Sequence, residues 1–580
     1  MHKSREIVVC DETGDADMAI IGIDLGTTNS LVCVFQDGYT VLIPNSFGKT
    51  LTPSVVSVEE DGSIYVGAVA KERMVTHPEA TAASFKRHMG TSKVYELSGR
   101  RFTPQELSSF VLRQLKEDAE RFLGEEVTEA VISVPAYFND NQRHATKEAG
   151  ELAGLKVERL INEPSAAALT ASRLGGKDEG SFLVFDFGGG TLDVSVVDYF
   201  DNVIEIIAVS GDNHLGGDDF DEKIARYFCE QYQISYQELT AGEKASLLQH
   251  AEECKKELSV LKEVTYTFEL HGEKKVTLDN VRLAKLGQDM FDRAAQVITR
   301  VLSDSGRTME DMDEIILVGG SSKMPVVGFF LLTAFGKEAH AAASPDEIVG
   351  MGAGIYAGIK ERKEELRDLV LTDTCPFTLG INVVNPMDHQ NPIMSPIIER
   401  NSILPSSKKG FYTNASGYQD EMVMKVYQGE GYYCRENIYL GEVRISVPRK
   451  KKGENRVEVC FTYDINGILL VEVTDLDKGT KKQAVLSSDQ FRLKEEELKR
   501  RVEEMKSYKL APPGGIRTKL ALARGERLFV QSVGERRRAV ESIMGKLHMA
   551  MSTQNDQVIA NCLKEAEAVF DFLEGKERKE

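Results

Sequence analysis

Two short segments of this chain repeat the same arrangement of chemistry-bearing residues, at 21–28 and again at 184–193. Each is an apolar run that ends in an aspartate, Asp24 or Asp186, followed by a turn of glycine and threonine and then by a second apolar run. Glycine allows a tight turn whose N–H groups approach an anion closely, and threonine adds a hydroxyl donor. Two such hairpins facing each other would bind a polyphosphate from both sides. The paired aspartates would hold its Mg²⁺, mostly through water.

One glycine and threonine turn is weak evidence by itself, because the same residues occur in ordinary hairpins. A second copy strengthens the interpretation, and a third glycine-rich turn at 318–322 follows another apolar run at 315–318. Such turns lie at the carboxyl ends of strands, where α/β folds bind ligands. The three turns therefore predict one phosphate-binding site in one domain.

Composition limits the class of protein. A chain of 580 residues with 42% hydrophobic and 28% charged residues is long enough for three or four domains. The net charge of −20 argues against a nucleic-acid partner, and no apolar run reaches the length of about 18 residues that a membrane span needs. Because residues 1–18 are charged and lack an apolar signal region, we expect a cytoplasmic protein. Eight scattered cysteines without a C-x-x-C pair predict neither disulfides nor zinc, and each is interpreted as a small buried side chain.

The order of patterns along the chain predicts several domains. From about Ala19 to Lys363, β-rich runs alternate with helical stretches, which is typical of an α/β domain. Because Asp186 follows Asp24 after 162 positions, we predict two similar lobes with a cleft between them. The aliphatic triplet 369–371 then interrupts a polar stretch. It is either a linker that docks on a neighbouring surface or the first strand of the next domain.

The remainder of the chain divides into a β-rich part and a helical part. Period-two alternation at 422–427 and 457–463, with Asn466-Gly467 as a hairpin turn, predicts an antiparallel β domain of about 110 residues. From Ser488 onward, apolar residues recur at helical spacing. One stripe holds Phe491, Leu498, Val502 and Met505, and another holds Val540, Ile543, Met544 and Leu547.

Five segments of the α/β part together resemble the ATPase domain of the seventy-kilodalton heat-shock, or DnaK-type, chaperones. They are 23–30, 162–168, 185–194, 211–220 and 317–325. The resemblance continues at 379–381, 426–430 and 464–469 and covers Ala19 to about residue 505. It implies a multidomain fold: an α/β, actin-like, two-lobed ATPase domain (19–367), a linker (368–374), an antiparallel β-sandwich domain that binds peptide (375–487) and a short α-helical lid (488–580). Residues 1–18 form an unmatched extension, with Met18 as an alternative start.

The resemblance also implies a nucleotide site for ATP or ADP with Mg²⁺ and K⁺. Phosphate and nearby nucleotide contacts are Gly26, Thr27, Thr28, Asn29, Gly188, Gly189, Gly190, Thr191, Gly216 and Gly217. Adenosine contacts are Glu252, Lys255, Lys256, Ser259, Gly319, Gly320, Ser321, Lys323 and Asp346. Mg²⁺ and its waters are organised by Asp24, Glu163, Asp186 and Asp193. Lys86 orients the attacking water, in a catalytic set with Asp24, Glu163, Thr191 and Asp193.

Without the family, two of these assignments have simpler interpretations. The Lys86-Arg87 pair would be a solvated helix face, and the helix around 252–259 would be an ordinary amphipathic surface element. Hydrolysis of a γ-phosphate by water nevertheless needs only a metal, donor-rich turns and one well-placed cation, because positioning and charge neutralisation dominate this reaction.

Four further sets of residues follow from the resemblance. The peptide groove comprises Ile381, Val383, Val384, Tyr412, Ala415, Met422 and Met424. A J-domain co-chaperone is received by Arg159, Asn162 and Asp373. A relay between the lobes includes Pro135 and Arg143, and the linker Asp368, Leu369, Val370 and Leu371 docks differently when ATP or peptide is bound. The expected protein is a monomeric chaperone whose hold on unfolded, extended apolar segments is controlled by ATP hydrolysis.

The sequence departs from the usual family pattern at several positions. Lys256 replaces an arginine that stacks on adenine, and Met422 replaces a β-branched residue. The stretch between Ser259 and Leu286 is short, which leaves the need for a GrpE-like exchange factor open. Thr372 interrupts the leucine run of the linker, and the helical tail predicts a reduced lid. These features most resemble the bacterial HscC branch.

Two other classes of protein share a two-lobed ATPase fold. A small-molecule kinase would need an acceptor site in the cleft, and an actin-like filament protein would polymerise with nucleotide. Neither class has a use for the linker at 369–371 together with a β domain at 375–485. This combination favours the chaperone interpretation.

Overall fold

The computed structural model describes residues 19–174, 179–341, 344–465, 467–486, 495–513 and 515–575. The predicted extension 1–18, Asn466 of the predicted turn and Phe491 of the helical stripe lie outside these residues. Of the described helices, none has both the length and the apolar character that a membrane span requires.

Residues 19–174 form the first lobe. Its strands are β1 (Ile20–Asp24), β2 (Asn29–Gln36), β3 (Tyr39–Leu42), β4 (Thr52–Pro53), β5 (Val55–Val58), β6 (Ser63–Val66), β7 (Thr81–Ala83), β8 (Tyr95–Leu97), β9 (Arg100–Phe102), β10 (Glu129–Val134) and β11 (Lys156–Asn162). Its helices are α1 (Ala68–Thr76), α2 (Pro104–Leu123), α3 (Asp140–Leu152) and α4 (Glu163–Leu174). The main sheet has the order β11-β10-β1-β2-β3, with β4 beside β2.

The second lobe repeats this plan. Its strands are β12 (Glu179–Phe187), β13 (Leu192–Phe200), β14 (Val203–Asp212), β15 (Glu263–Glu269), β16 (Glu273–Asp279), β17 (Glu314–Val318) and β18 (Ala339–Ala341). Its helices are α5 (Gly217–Gln231), α6 (Ala241–Leu258), α7 (Asn280–Leu286), α8 (Gln288–Ser305) and α9 (Pro325–Phe335). The next helix, α10 (Ile348–Lys360), packs on α4, β1 and β2 of the first lobe. The hairpin β1–β2 of the first lobe corresponds to β12–β13 of the second, and each hairpin has a parallel strand, β10 or β17, beside its first strand.

Local sequence signals account for several of these boundaries. Helix α2 begins after Thr103, whose side chain accepts from the N–H of Glu106 while the Glu106 carboxylate accepts from the N–H of Thr103. Thr240 and Glu243 form the same reciprocal cap at the start of α6. Such caps satisfy N–H groups that lack partners inside the helix. The two caps define where α2 and α6 begin. Both helices contact the C-terminal part of the chain.

The aliphatic triplet pairs with the second lobe. Strand β19 (Val370–Thr372) pairs in parallel with β14 and completes the second lobe's sheet in the order β18-β17-β12-β13-β14-β19. Leu369 and Leu371 pack against the core shared by the two lobes, whereas Val370 is 48% exposed. The triplet therefore pairs with the preceding domain and not with a sheet of the following one.

Two four-stranded antiparallel sheets form the β domain. Its strands are β20 (Leu379–Val383), β21 (Ile393–Ile398), β22 (Ser406–Thr413), β23 (Glu421–Gln428), β24 (Ile438–Ser446), β25 (Arg456–Tyr463), β26 (Leu469–Asp475) and β27 (Lys481–Leu486). The sheet orders are β21-β20-β23-β24 and β22-β25-β26-β27. Alternate residues of β23 and β25 are buried in the core between the sheets, as the period-two pattern predicts.

The C-terminal part packs on the first lobe. It comprises α11 (Glu495–Ser507), β28 (Lys509–Leu510), α12 (Ile516–Val530), α13 (Gly534–Ser552) and α14 (Asp556–Leu573). Arg113 of α2 donates to the carbonyls of Met505 and Tyr508, at 3.0 and 2.7 Å. Strand β28 pairs in parallel with β6, which adds a strand to a small sheet of the first lobe. The predicted stripe of Val540, Ile543 and Leu547 is buried between α12, α13 and α14.

Candidate functional site

A cavity of about 590 Å³ separates the two lobes, and the predicted nucleotide residues line it from both sides. The predicted residues among its walls are Asp24, Gly26, Thr27, Thr28, Asn29, Lys86, Glu163, Asp186, Gly188, Gly189, Thr191, Glu252, Lys255, Lys256, Ser259, Gly319, Gly320, Ser321, Lys323 and Asp346. Four others, Gly190, Asp193, Gly216 and Gly217, lie behind these walls and pack against them.

The two glycine and threonine turns face each other at contact distance. A Cβ on Gly189 would lie 1.8 Å from Oγ1 of Thr28 in the opposite turn. A Cβ on Gly216 would lie 2.3 Å from the carbonyl oxygen of Gly189. Real side chains cannot occupy these positions, so glycine is what allows the turns to approach so closely. The approach leaves backbone N–H groups of both lobes around one small volume.

Carboxylates and one lysine occupy the floor of this volume. Nζ of Lys86 lies 2.8 Å from Oε1 of Glu163, and the two residues are 3% and 7% exposed. The Asp24 carboxylate accepts from Oγ of Ser133 at 2.7 Å, and Asp193 accepts from the N–H of Tyr137 at 3.2 Å. Lys86 lies in a short 3₁₀ turn, Phe85–His88, and not on a solvated helix face.

The buried carboxylates repel one another. Burial raises the pKa of Asp24 to about 6, and the neighbouring charge of Glu163 adds to the effect. Burial and Glu163 also raise the pKa of Asp193 to about 7. The pKa of Asp186 is raised well above its ordinary value by burial and by the three surrounding carboxylates. Lys86 lowers each of these pKa values but does not compensate the excess of negative charge.

This charge excess fits a hydrated divalent cation. Within the described part of the chain, no three acidic, histidine or cysteine side chains are grouped closely enough to ligate a metal directly. Four carboxylates beside a single ammonium group nevertheless favour a cation that keeps most of its waters, as Mg²⁺ does. The donor set therefore fits Mg²⁺ held through water and bound phosphate.

The opposite end of the cavity is lined by paired charges from the second lobe. Nζ of Lys255 contacts Oδ2 of Asp221 at 2.8 Å and the carbonyl of Gly217 at 2.9 Å. Lys323 and Asp346 form an ion pair across the turn that follows β17. Lys256 is largely exposed at the cavity edge, where a planar arginine is usual in the family. These groups surround a space with the polarity expected of an adenosine pocket.

Several residues that join the two lobes across the cleft were not predicted from the sequence. Asp218 accepts from Oγ of Ser84 at 2.7 Å, and Asp219 accepts two hydrogen bonds from the Arg87 guanidinium, at 3.1 and 2.7 Å. Asp221 lines the cavity, and burial raises its pKa to about 7. All three acids lie in the run 216–221, where only the two glycines were predicted as site residues. The acidic start of a helix next to two glycines was the available signal.

A second contact joins the lobes near the cavity entrance. Nζ of Lys71 in α1 lies 2.7 Å from Oε2 of Glu252 in α6, and Lys256 contacts the same carboxylate. Burial alone would raise the pKa of Glu252, but the two ammonium groups outweigh it and lower that pKa. Glu252 therefore joins the lobes through a charged pair as well as lining the cavity.

Three of the residues predicted for the relay and the J-domain, Arg143, Asn162 and Asp373, meet where the linker enters the β domain. The Arg143 guanidinium donates to Oδ1 of Asn162 at 2.6 Å and to the carbonyls of Ala136 and Phe138. Nδ2 of Asn162 then donates to Oδ2 of Asp373 at 2.6 Å. Burial raises the pKa of Asp373. Arg159 lies apart from this group.

Arg159 donates to the hydroxyl of Tyr356 at 3.0 Å. Pro135 directly precedes Ala136, whose carbonyl accepts from Arg143. The β domain makes further contacts at this junction: Tyr137 packs against Phe377 with ring centroids 4.5 Å apart, and Arg400 forms two hydrogen bonds with Asp304.

The predicted groove residues divide by exposure. Ile381, Met422 and Met424 are buried in the β-domain core, and the Tyr412 ring packs on that core with its hydroxyl 3.1 Å from Oγ of Ser395. Val383 is half-buried. Val384 and Ala415 are exposed, the former to 44%.

Fold and site together define a two-lobed nucleotide-binding domain that is joined by a docked strand to a β-sandwich and a helical tail. A family model described as "Hsp70 protein" matches residues 20–575. "Chaperone protein DnaK" of Thermotoga neapolitana is 41% identical over 507 residues, which is 84% of this chain and 83% of that protein. The proteins of the same name from Thermotoga petrophila and Thermotoga maritima have the same identity and coverage.

The chain therefore belongs to the Hsp70 family. This membership confirms the predicted family, the fold class and the prediction of an ATPase. The finer assignment to the HscC branch stays a prediction.

The acidic cluster predicts how stability depends on pH in the absence of metal. Because the pKa values of Asp24 and Asp193 rise from 3.8 to about 6 and about 7, the folded state binds these protons more tightly than the unfolded chain. The resulting stabilisation is fully present below about pH 4 and is lost as the pH rises through the folded pKa values. We expect the melting temperature in EDTA to fall across this window.

Melting curves of Asp24→Asn and Asp193→Asn provide the measurement. Each variant should flatten the fall in melting temperature, while Asp37→Asn, in an exposed turn, should retain it. If both cluster variants kept the parental pH dependence, these carboxylates would not carry the effect.

Proposed function

We propose that this Hsp70 protein couples ATP hydrolysis in the interlobe cavity to the binding and release of extended apolar peptide by the β domain. The observation that carries the proposal is the adjacency of Asn162 and Glu163 at the start of α4. Glu163 holds Lys86 beside the carboxylate cluster, and Asn162 holds Asp373 beside the linker strand. One short segment thus contacts both the hydrolysis site and the junction with the β domain.

ATP and ADP are the ligands that this cavity supports best. The facing turns supply N–H and hydroxyl donors for phosphates, and Lys255, Lys323 and Ser321 lie at the proposed adenosine end. Asp24, Asp186, Asp193 and Glu163 would hold Mg²⁺ through its waters, and Mg²⁺ would neutralise phosphate charge. K⁺ stays a prediction.

Lys86 is the residue proposed to position the attacking water. Its ammonium group is buried and oriented by Glu163, so its charge acts at a fixed point in a medium of low dielectric. Water attacks the γ-phosphorus as the bond to the bridging oxygen breaks, which releases phosphate and ADP. This reaction requires alignment and charge stabilisation and no covalent intermediate on the protein.

Lys86→Ala should retain nucleotide binding and lose about 100-fold or more in the hydrolysis rate, the usual cost of removing one preorganised charged donor. Single-turnover hydrolysis of radiolabelled ATP measures the rate, and equilibrium titration with a fluorescent nucleotide measures binding. Lys93→Ala, at an exposed position of the same lobe, is the matched control. Unchanged turnover in Lys86→Ala would remove this lysine from the reaction.

The position of the linker is proposed to couple nucleotide binding in the cavity to the β domain. Strand β19 lies on the edge of the nucleotide-domain sheet, with Leu369 and Leu371 packed inward. Asp373 directly follows this strand and bonds to Asn162 and Ser165. Undocking the strand must therefore break contacts that adjoin the Lys86–Glu163 pair. ATP and peptide would each favour a different linker position and so weaken each other's binding.

Replacing Leu369 and Leu371 together by aspartate should abolish peptide stimulation of hydrolysis, because burying two unpaired carboxylates costs several kcal/mol. Val370→Asp is the control, since this side chain of the same strand is 48% exposed and should tolerate the charge. Steady-state ATP turnover with and without an extended apolar peptide measures the effect. Stimulation that persists in the double variant would make the linker a passive tether.

The β domain is proposed to bind peptide as an added extended segment, with strand-edge hydrogen bonds for affinity and an apolar pocket for side-chain selection. Val384 directly follows β20 and has exposed apolar surface, while Ile381 of that strand and Met424 of β23 are buried in the domain core. A partly adaptable pocket follows from two methionines on β23, because methionine is flexible.

Val384→Glu should weaken binding of an extended apolar peptide by about tenfold, the loss expected when one valine contact is replaced by a charge. Val485→Glu is the matched control, because Val485 on β27 is also exposed, to 66%. Fluorescence anisotropy of a labelled peptide, measured with ADP, gives both affinities. Equal affinity for the two variants would place the groove elsewhere.

Co-chaperone use remains part of the proposal. A J-domain would meet Arg159, Asn162 and Asp373 near the linker, while the need for a GrpE-like factor, the monomeric state and the cytoplasmic location stay predictions. A kinase or a filament protein would not respond to peptide or to a J-domain. ATP turnover measured with each of these additions therefore distinguishes a chaperone from the other two classes of protein.

A further inference from the structure

Helices α12, α13 and α14, here called the C-terminal bundle, contact both lobes of the nucleotide-binding domain. Helix α12 packs along α1 of the first lobe. Gln531, at the end of α12, donates from Nε2 to Oγ of Ser246 at 2.9 Å and to Oε1 of Gln249 at 3.4 Å, both on α6 of the second lobe. The bundle therefore spans the gap between α1 and α6.

Arg527 anchors the bundle on the first lobe. Its guanidinium is 3% exposed and lies between two carboxylates, Glu72 of α1 and Glu574 after α14. The same guanidinium donates to Oε1 of Gln531 at 2.7 Å, which orients the amide that reaches α6. One side chain thus joins the first-lobe contact to the second-lobe contact.

The bundle behaves as one packed unit. Leu528 of α12, Val540 and Leu547 of α13 and Phe570 of α14 are buried in a common core. A Cβ on Gly525 would lie 2.1 Å from Sδ of Met544, so α12 and α13 are in close contact there. Because the helices cannot shift independently, separating α1 from α6 must break the contact at one end of the bundle.

The contacted helices frame the entrance to the nucleotide cavity. Lys71, beside Glu72 on α1, pairs with Glu252, one turn beyond Gln249 on α6, and Glu252 lines the cavity. A second cavity of about 170 Å³ lies between the same two helices. Nucleotide can leave only when the lobes part, and parting the lobes at this entrance moves α1 away from α6.

We propose that the C-terminal bundle is a clasp on the nucleotide cleft, occupying a docking surface formed by α1 and α6, and that it slows nucleotide release. The proposal rests on nucleotide binding in the interlobe cavity. It assigns to the C-terminal helices a role in nucleotide retention that is separate from covering the peptide groove. The segment that precedes the bundle is held on the first lobe by α11 and β28, whereas the bundle itself reaches α1 through Arg527 and α6 through Gln531.

Nucleotide release from the full-length chain tests the clasp. The measurement is the dissociation rate of a fluorescent ADP in stopped flow, chased with excess ATP. Glu72→Gln breaks the first-lobe end without altering the bundle, and Gln531→Ala breaks the second-lobe end. Each should accelerate release by roughly threefold to tenfold, the effect of losing one or two hydrogen bonds. The double variant should be no faster than the faster single variant, because either break opens the bridge.

Controls separate this inference from the proposed nucleotide site. Glu541→Gln on α13 and Gln557→Ala on α14, at exposed positions, remove the same charge and the same side-chain type and should release nucleotide at the parental rate. If all chains bound nucleotide and released it equally fast, the clasp would be refuted while the nucleotide site stood. If the two substitutions together multiplied their separate effects on the release rate, the clasp would also be refuted, because contacts at the two ends of one bridge should not act independently. Failure of every chain to bind nucleotide would overturn the proposed function itself.

Discussion

Four carboxylates are buried around one lysine between the two lobes, and this concentration of negative charge is the constraint on which the rest of the structure depends. Asp24, Asp186 and Asp193 come from the two hairpins, and Glu163 begins the helix that follows β11. Their raised pKa values follow from burial together with mutual repulsion. Carboxylates that repel one another favour a bound cation, and a cation that reached both hairpins would draw the lobes together.

The duplicated hairpin makes this arrangement possible. Each lobe contributes one aspartate and one glycine-rich turn, and the two turns touch at Gly189 and Thr28. Any ligand that joins the turns must contact both lobes, so its loss or hydrolysis changes how the lobes meet. Arg87 and Lys71 add charged contacts across the same cleft, which places the opening of the cleft under the control of a few side chains.

The linker strand and the C-terminal bundle attach to the two lobes at different places. The linker strand joins the edge of the second lobe's sheet and ends at Asp373, which bonds to the neighbour of Glu163. The C-terminal bundle attaches at the cleft entrance through Arg527 and Gln531. The base of the cleft is thus linked by hydrogen bonds to the junction with the β domain, and its entrance is in contact with the helical tail. The two proposals made above therefore assign nucleotide hydrolysis and nucleotide retention to separate surfaces.

The sequence alone predicted the elements whose signals are local. The repeated turns, the alternating strands around 422–427 and 457–463, and the stripe at 540–547 all depend on neighbours within one element. The family resemblance then supplied Lys86 and the adenosine residues, which no spacing would have selected. Nearly all of the predicted nucleotide residues line one cavity or pack behind its wall, because the fold brings the ends of corresponding strands together.

Only the tertiary structure decided which distant groups meet. Whether the triplet 369–371 pairs with the preceding or the following domain depends on the free edge of β14, which is invisible in the sequence. The bridging of α1 and α6 by Arg527 and Gln531 depends on two helices that lie more than 150 residues apart along the chain. Local patterns determine how a segment folds, because they are set by backbone and nearest-neighbour chemistry. Contacts between charged side chains of separate domains depend on the relative placement of whole units, which no local pattern encodes.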